Sequence, residues 1–245
     1  MNIFWIAQRV LKQILNNKRY ITFSILAPIL IIYFLKIFLD SLPSQINENS
    51  YLIPFIAFVM HFIGFLLCAI VLVQERTKGT LQRMFISNYK KYEVIIGYML
   101  GYMFLGTIQT IIVISFSNIV FSLKYSISSL TMLFIIVWVL VCTSVMLGIF
   151  ISTFARTEAE VIPFIPVIIL PSIFLSGIVI PIDKLPSWAQ SLSHIIPMYY
   201  ANNLLQNNVI NTVNSNIFSD SNFYSLILFG LVLIVVARFT LIDTE

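Results

Sequence analysis

Six long apolar runs divide the chain, each flanked by polar or charged residues. A helix needs about 20 mainly apolar residues to cross the hydrocarbon core of a bilayer, and each run is long enough. The pattern predicts an all-α integral membrane protein with six transmembrane helices. We place these spans at Tyr20–Leu39, Ile53–Val73, Val94–Phe121, Leu130–Phe154, Val161–Ile180 and Phe223–Ile242.

The segment 1–19 has a different periodicity. Its apolar residues recur at helical spacing on one face, and a basic, polar face lies opposite. This pattern is typical of an interfacial helix that lies on the membrane. The apolar face is formed by Ile3, Phe4, Ala7, Val10, Leu11, Ile14 and Leu15, and the polar face by Gln8, Arg9, Lys12, Gln13 and Asn16.

Prolines interrupt the pattern before the last span. Pro163, Pro166 and Pro171 fall within the fifth run, so we expect that span to be broken and to dip into the membrane. The stretch Pro181–Tyr200 predicts a re-entrant-like outer hairpin of short amphipathic turns, with aromatic residues at headgroup level. The Asn- and Ser-rich stretch Asn202–Asn222 predicts a polar loop.

The composition supports a single membrane domain over residues 1–245. Hydrophobic residues make up 59% of the chain and charged residues 10%, which excludes an ordinary soluble domain. Within the domain we assign 1–19 to the interfacial helix, 20–180 to spans one to five, 181–222 to the outer hairpin and loop, and 223–245 to span six and the tail. The first apolar run continues too far for a cleavable signal peptide.

The basic residues predict the orientation. Eleven lie in the segments that would share one side of the membrane with both termini: Arg9, Lys12, Lys18, Arg19, Arg76, Lys78, Arg83, Lys90, Lys91, Arg156 and Arg238. Only Lys36, Lys124 and Lys184 fall on the other side. The positive-inside rule then places both termini on the cytoplasmic side of a plasma membrane. The net charge of +4 is explained by orientation, so no nucleic-acid partner is expected.

A short loop after span two contains a cluster of charged side chains in this otherwise apolar chain. Glu75 and Arg76 are expected to mark the water boundary, and Gly79 fits the left-handed position that ends a helix. Thr80 is expected to cap a second short helix. Leu81, Met84 and Phe85 share one face of that helix, and Arg83 lies beside them. This face can dock in a partner's groove or rest on the bilayer.

Two stretches carry a family resemblance. The first, "QERTKGTLQRMFISNYKKYEVIIGYMLGYM", is similar to the E-R-x-x-G-T-L-x-R-L segment of type-2 ATP-binding-cassette (ABC) exporter permeases. The second, "LGIFISTFARTEAEVIPFIPVIILPSIFLSGIVIPIDKLPSWAQSLSHIIPMYYANNLL", resembles the proline-rich fifth span and following hairpin of that family. Met84 stands where the family usually has Leu, and "ISNYKKYE" replaces a proline-containing turn.

The resemblance implies a transport subunit that moves drugs, peptides, lipids or polysaccharides. Such a permease works with two separate cytoplasmic ABC ATPase subunits, which hold the ATP and Mg²⁺, and with a second permease chain, identical or homologous. The chain itself has no G-x-x-x-x-G-K-[ST] motif for cradling phosphates, so no catalytic residue and no cofactor is expected in it. The resemblance assigns ATPase coupling to the segment after Gly79, with a second contact at the turn holding Arg156, Glu158 and Glu160. That turn could equally be an ordinary solvated loop.

An aromatic stripe on span two is the candidate substrate path. Phe55, Phe58, Phe62 and Phe65 recur at spacings of three and four and therefore share a helix face with His61. The stripe can form a wall for an amphipathic substrate or an ordinary packing seam. His61 can be functional or can make a structural hydrogen bond. Gly97 and Gly101 permit close approach of another helix.

Three other functions compete with export: ion-coupled transport, membrane-enzyme catalysis and a structural role. An ion-coupled secondary transporter usually needs ionisable groups at mid-bilayer, where the sequence offers only His61. A membrane enzyme needs paired catalytic groups, and Glu158 and Glu160 have no His or Cys beside them. Cys68 and Cys142 match no metal-ligand spacing, so no metal is expected. A structural subunit and an exporter of lipid-linked polysaccharide stay open, but the aromatic, uncharged spans favour a lipophilic or amphipathic substrate.

Overall fold

The protein is described from a computed structural model, which covers residues 2–41, 48–121, 125–211 and 216–240. These residues form helices joined by short turns, with no strand among them. The α-helices are α1 (Asn2–Asn16), α2 (Lys18–Asp40), α3 (Glu48–Ala69), α4 (Val71–Thr77), α5 (Thr80–Ile86), α6 (Lys91–Val120), α7 (Ile127–Phe154), α8 (Glu158–Val161), α9 (Phe164–Phe174), α10 (Ser187–Ser193), α11 (Pro197–Leu205) and α12 (Ser221–Thr240).

Five helical segments are long and apolar enough to cross a membrane: α2, α6, α7, α12 and the pair α3–α4 over Tyr51–Thr77. They match five of the six predicted spans. The predicted fifth span is different, because α9 has only 11 residues and extends about 16 Å. Pro163 is the residue before α9 and Pro171 lies within it. The all-helical fold is therefore confirmed, but the count of six membrane-length helices is not.

Helix α7 lies at the centre of the bundle, where it packs against α3, α6 and α12. Small residues allow these close approaches. A Cβ added at Gly148 would lie 2.5 Å from the Phe65 carbonyl oxygen of α3. A Cβ added at Gly230 of α12 would lie 2.6 Å from Met146 Sδ of α7. Close packing of small residues thus holds the apolar helices together where lipid offers no hydrophobic driving force.

The N-terminal helix α1 packs on α6, and not on the bilayer alone. Cβ atoms added at Gly97 and Gly101 would lie 2.5 Å from Ile6 Cγ2 and 2.6 Å from Val10 Cγ1, respectively. The close approach expected at these glycines is confirmed, with α1 as the partner. The predicted apolar face of α1 divides in two: Ala7, Val10 and Ile14 are buried together with Ile6, whereas Phe4 and Leu15 are exposed.

Contacts near both ends of the chain bring α1 and the last turn of α12 to one end of the bundle. Arg238 of α12 lies over the Tyr92 ring at the start of α6, and the Thr240 hydroxyl is 2.6 Å from that of Thr153 near the end of α7. The loop after span two also lies at this end, because Arg76 contacts Ala155 after α7. We call residues 71–86 together with the turn 155–160 the joint, and this end of the bundle the joint end. Between α7 and α12 the chain therefore returns to the opposite end through α8–α11. Of the predicted basic residues, Lys124 lies outside the described residues.

The stretch after α9 is more helical and more buried than expected. Pro181–Tyr200 contains a 3-10 turn (Ile182–Lys184), α10 and the start of α11, which continues into a π-helical turn at Gln206–Ile210. Trp188 is exposed, as an interfacial aromatic would be, but Asn202 and Asn208 are buried. The prediction of a polar loop from Asn202 is wrong over residues 202–210, because Leu204, Leu205 and Val209 pack in the core.

Candidate functional site

The second span reaches the joint end as two helices. The helix breaks at Ile70, between α3 and α4, which frees backbone N–H groups that would otherwise donate within the helix. Leu72 N and Val73 N donate to the Ser152 hydroxyl of α7 at 3.0 and 3.2 Å. Because this site is buried, Ser152 satisfies donors that would be costly to leave unpaired. The break is therefore braced by α7.

Glu75 and Arg76 do not mark a water boundary; that prediction is wrong. Glu75 is 2% exposed and Arg76 7%. Arg9 Nη2 of α1 donates to Glu75 Oε2 at 3.1 Å, and Gln13 Nε2 donates to Glu75 Oε1 at 3.1 Å. Arg76 Nη1 donates to the carbonyl oxygen of Ala155, at the end of α7. A buried charge needs such partners to offset its lost hydration. Helix α1 provides them for Glu75, whereas Arg76 has the one bond from Nη1, and its Nε and Nη2 are buried with no partner among the described residues.

The turn between α4 and α5 has the geometry expected for Gly79 but not for Thr80. Gly79 has φ 68°, in the left-handed region that favours glycine, and its N–H donates to Arg76 O. Gly79 itself occupies the N-cap position of α5, and Thr80 is the first helical residue. The Thr80 hydroxyl donates back to Glu75 O at 3.3 Å. Thr80 thus ties the turn to α4, and the prediction that it caps α5 is wrong.

Helix α5 turns most of its apolar face inward. Leu81 and Met84 are buried in the core of this chain, and Phe85 is half-buried against it. Arg9 Nη1 donates to Met84 Sδ at 3.2 Å. The prediction that Leu81 and Met84 are presented to a partner is therefore wrong. The outer side of α5 carries Arg83 and Ile86, and Ile86 is 85% exposed.

The second predicted contact, at residues 155–160, lies beside the first. Arg156 N donates to Glu160 Oε2 at 2.9 Å, and the Thr157 hydroxyl donates to Glu160 Oε1 at 3.2 Å. Arg156 and Glu158 are exposed, with Glu158 in the first turn of α8. Because Arg76 reaches Ala155, the structure brings the two predicted coupling segments together into one unit.

The aromatic stripe of span two is not a uniform wall. Phe55, Phe58 and Phe62 are partly exposed, and the Phe55 and Phe58 rings meet edge to face at 6.4 Å. Phe65 has no exposed surface and packs in a second core cluster with Leu147 and Ile151 of α7. Phe65 therefore lines no path in this chain, and only the first three aromatic side chains stay candidates.

His61 makes structural hydrogen bonds inside the bundle. Its Nδ1 lies 2.6 Å from the Ser144 hydroxyl of α7, and its Nε2 lies 3.3 Å from the Ser172 hydroxyl of α9. Each hydroxyl also lies within hydrogen-bond distance of a carbonyl oxygen of its own helix. An imidazole with one N–H and two hydroxyls have three protons to donate, so at most three of these four contacts are hydrogen bonds at one time. The imidazole therefore joins α3, α7 and α9, and it holds the short proline-containing helix in place.

Five residues of these contacts were not identified as site candidates from the sequence: Arg9, Gln13 and Ser152, which bond to α4, and Ser144 and Ser172, which lie beside His61. Arg9 and Gln13 share the polar face of an amphipathic helix, which is ordinarily solvated. Serines in apolar runs usually bond to their own helix, as Ser117 does. A hydroxyl that serves a neighbouring helix can be identified only when that helix is in place.

Comparisons with known proteins agree with the resemblance. The sequence profile of the ABC-2 type transporter family matches residues 1–210. The chain is 26% identical over 165 residues to the Escherichia coli K12 protein named "Probable multidrug ABC transporter permease YbhS". The aligned region covers 67% of this chain and 44% of that relative. It is 23% identical over 155 residues to "Probable multidrug ABC transporter permease YbhR" of the same strain. The aligned region covers 63% of this chain and 42% of that relative.

A eukaryotic relative is also similar. "ABC transporter G family member 20" of Dictyostelium discoideum is 25% identical over 167 residues, which cover 65% of this chain and 22% of the relative. The chain thus spans less than half the length of these three curated relatives.

Proposed function

The chain belongs to the ABC-2 type transporter family, and we propose that it is the membrane permease of an ATP-driven exporter whose ATPase subunits are separate chains. It would move a lipophilic or amphipathic substrate, such as a drug, an amphipathic peptide or a lipid. Two ATPase subunits would bind ATP and Mg²⁺ and act on a pair of permease chains, identical or homologous. Two of the relatives are named multidrug permeases, which supports this substrate class.

The observation that carries the proposal is the construction of the joint. Helix α5 is tied to α4 by Thr80, α4 to α1 by Glu75, and α4 to α7 by Arg76 and Ser152. A force applied to α5 would therefore reach both the central helix α7 and the N-terminal helix α1. Such a connection is what a transport subunit needs if hydrolysis occurs in another protein.

The docking surface would combine the outer side of α5 with the neighbouring turn. Ile86 offers an exposed apolar anchor, and the surface also carries exposed charges: Arg83 and Lys78 on the same loop, and Arg156 and Glu158 on the neighbouring turn. Charges at the rim of an interface mainly set orientation and encounter rate, and buried apolar anchors contribute more affinity. Glu75, Arg76, Gly79, Leu81 and Met84 would act behind this surface, by shaping the joint.

The joint end would face the cytoplasm, since the eleven clustered basic residues lie in or beside its elements and, among the described residues, only Lys36 and Lys184 lie away from it. With α8 and α9 counted together as one broken crossing, the chain would make six passes and leave both termini inside.

The path would pass the partly exposed rings of Phe55, Phe58 and Phe62. Ion-coupled transport is disfavoured, because both ring nitrogens of His61 lie within hydrogen-bond distance of serine hydroxyls. Export of a lipid-linked polysaccharide stays the alternative within the same family.

Two matched variants test the docking surface. Ile86→Asp places a charge on the proposed anchor, and Ile127→Asp does the same at the opposite end of the bundle, where Ile127 is also 85% exposed. The full chain would be expressed with its cognate ABC ATPase and purified in mild detergent. We expect Ile86→Asp to lower co-purification of the ATPase about tenfold, as for a lost apolar anchor, and Ile127→Asp to leave it unchanged. Equal recovery with both variants would place the docking surface elsewhere.

A further inference from the structure

A groove of about 720 Å³ runs between α6, α7 and α12. Its wall is almost wholly apolar and includes Met103, Phe134, Trp138, Cys142, Ile227 and Leu231. The stretch of α7 along it, Phe134 to Met146, corresponds to about 18 Å of helix. The groove therefore extends through roughly half the thickness of a bilayer core.

The groove lies between a close helix contact and the start of α12. At the contact Gly230 of α12 approaches Met146 and Thr143 of α7 so closely that an added Cβ would clash with both. Towards the start of α12 the lining continues to Phe218 and Phe223. Trp138 Nε1 donates to the Thr107 hydroxyl at 2.8 Å, so the indole N–H does not interrupt the apolar wall.

A second cavity, of about 320 Å³, adjoins the groove and shares Ile135 and Phe218 with it. Its lining includes the hydroxyl residues Ser128 and Thr131 and the amide of Asn216. It lies where α7 begins, at the end of the bundle opposite the joint. Among the described residues that line either cavity, none carries a charged side chain.

We propose that the two cavities together bind a glycolipid of the leaflet at that end, with an acyl chain in the groove and an uncharged sugar at Ser128, Thr131 and Asn216. The apolar wall suits a hydrocarbon chain, because its burial removes no polar group from a partner. The Thr131 hydroxyl donates to Ile127 O, and Asn216 Oδ1 accepts from Phe218 N. A sugar hydroxyl could still donate to Thr131 Oγ1, accept from Asn216 Nδ2, or bond with the Ser128 hydroxyl. A phosphate headgroup would instead favour a cationic side chain.

The site is separate from the proposed docking surface and from the aromatic stripe of span two. It therefore does not depend on which substrate the transporter carries. A bound glycolipid would also cover the exposed apolar residues of α7 and α12 that line the groove, such as Trp138 and Leu231.

Photo-cross-linking tests the proposal on the full chain in phosphatidylcholine nanodiscs. One sample contains a monoglycosyl diacylglycerol with a diazirine in its acyl chain, and a second contains phosphatidylglycerol with the same diazirine chain. After irradiation, adducts are mapped by peptide mass spectrometry. We expect adducts within residues 134–146 and 218–231, with a glycolipid yield about three- to tenfold higher, as one or two hydrogen bonds to the head would produce.

Three variants separate the head from the tail. Ser128→Ala combined with Asn216→Ala should abolish the preference for the glycolipid and leave the tail adducts in place. Ile227→Trp should fill the groove and lower the yield of both probes. Ser225→Ala is the control, because Ser225 lies on α12 but lines neither cavity, and it should change nothing.

The wild-type map is decisive even if a variant folds poorly. Adducts spread evenly over exposed helix faces, such as that of α2, would overturn the proposal of a site. A higher yield with phosphatidylglycerol would overturn the assignment of a sugar headgroup.

Discussion

Glu75 is the residue on which the joint depends most directly. Its carboxylate is buried, and Arg9 and Gln13 supply its described side-chain hydrogen bonds. Arg9 is 39% exposed and can regain water, whereas Glu75, at 2%, cannot. The two partners of this ion pair are therefore not equivalent, since an unpaired charge costs most where water is excluded.

We predict that Arg9→Met destabilises the protein more than Glu75→Gln. Loss of Arg9 leaves a buried carboxylate with one amide donor and should cost about 3 kcal/mol. Glu75→Gln removes the charge itself and should cost about 1 kcal/mol. The apparent unfolding temperature in detergent should fall in the same order.

The exposed ion pair Lys36–Asp40 provides the control. Lys36→Met should cost less than about 1 kcal/mol, as is usual for surface pairs. An Arg9→Met protein as stable as Lys36→Met would show that Glu75 does not need its partner.

At the scale of elements, the unusual feature is a span made of two helices. The break at Ile70 leaves Leu72 N and Val73 N to be satisfied by Ser152. Helix α1 depends in a similar way on a neighbour, because Gly97 and Gly101 leave the space that Ile6 and Val10 occupy. In both arrangements, small residues of one helix make room or supply a hydrogen-bond acceptor for another helix.

Ser152→Ala should destabilise the α4 segment by about 1–3 kcal/mol, because two buried N–H groups lose their acceptor. Hydrogen–deuterium exchange of amides 72 and 73 should become faster. Ser117→Ala is matched to it, since Ser117 is equally buried but donates only to Val113 O of its own helix. Exchange at residues 72 and 73 that is equally slow in both variants would contradict the bracing role.

Gly97→Ala should loosen α1 from α6. The new Cβ would lie 2.5 Å from Ile6 Cγ2, whereas a Cβ at Gly64 would lie 3.4 Å from its nearest neighbour, Ser144 Cβ. Overpacking of this kind costs about 1–3 kcal/mol. Limited proteolysis within residues 2–16 should be faster in Gly97→Ala than in Gly64→Ala. Identical digestion would mean that α1 shifts without loss of packing.

At the scale of the whole molecule, contacts place α1, α5, the end of α7 and the end of α12 together at the joint end. The start of α12 and the start of α7 lie at the opposite end, beside the second cavity. The short helices α8–α11 make the connection between the two ends. This arrangement has a direct consequence for labelling in intact cells.

We expect a cysteine at Ser219 to react with a membrane-impermeant maleimide added outside the cells, and a cysteine at Lys78 not to react until the membrane is opened. Both positions are exposed at the protein surface, so only the membrane side distinguishes them. Cys68 and Cys142 would first be replaced by serine. Labelling of position 78 in sealed cells would reverse the proposed orientation.

Much of the architecture is determined by the sequence alone. Runs of about 20 apolar residues in a bilayer must form helices, because each backbone group needs a partner within its own segment. The left-handed turn at Gly79 was likewise predictable, since it depends on one residue that lacks a Cβ. The family could be identified from two stretches because their motifs lie in order along the chain.

Only the tertiary structure decided how the polar residues are used. Whether Glu75 meets water or Arg9, and whether Leu81 and Met84 face a partner or their own core, depends on how α1 and α7 approach the loop. Helical spacing assigns residues to a face but does not say what covers that face. In the same way, the prolines predicted an interrupted fifth span, but the length of α9 and the burial of residues 202–210 followed from packing. Local pattern determined where the chain is helical, and contacts between residues distant in sequence determined which charges and faces remain available for function.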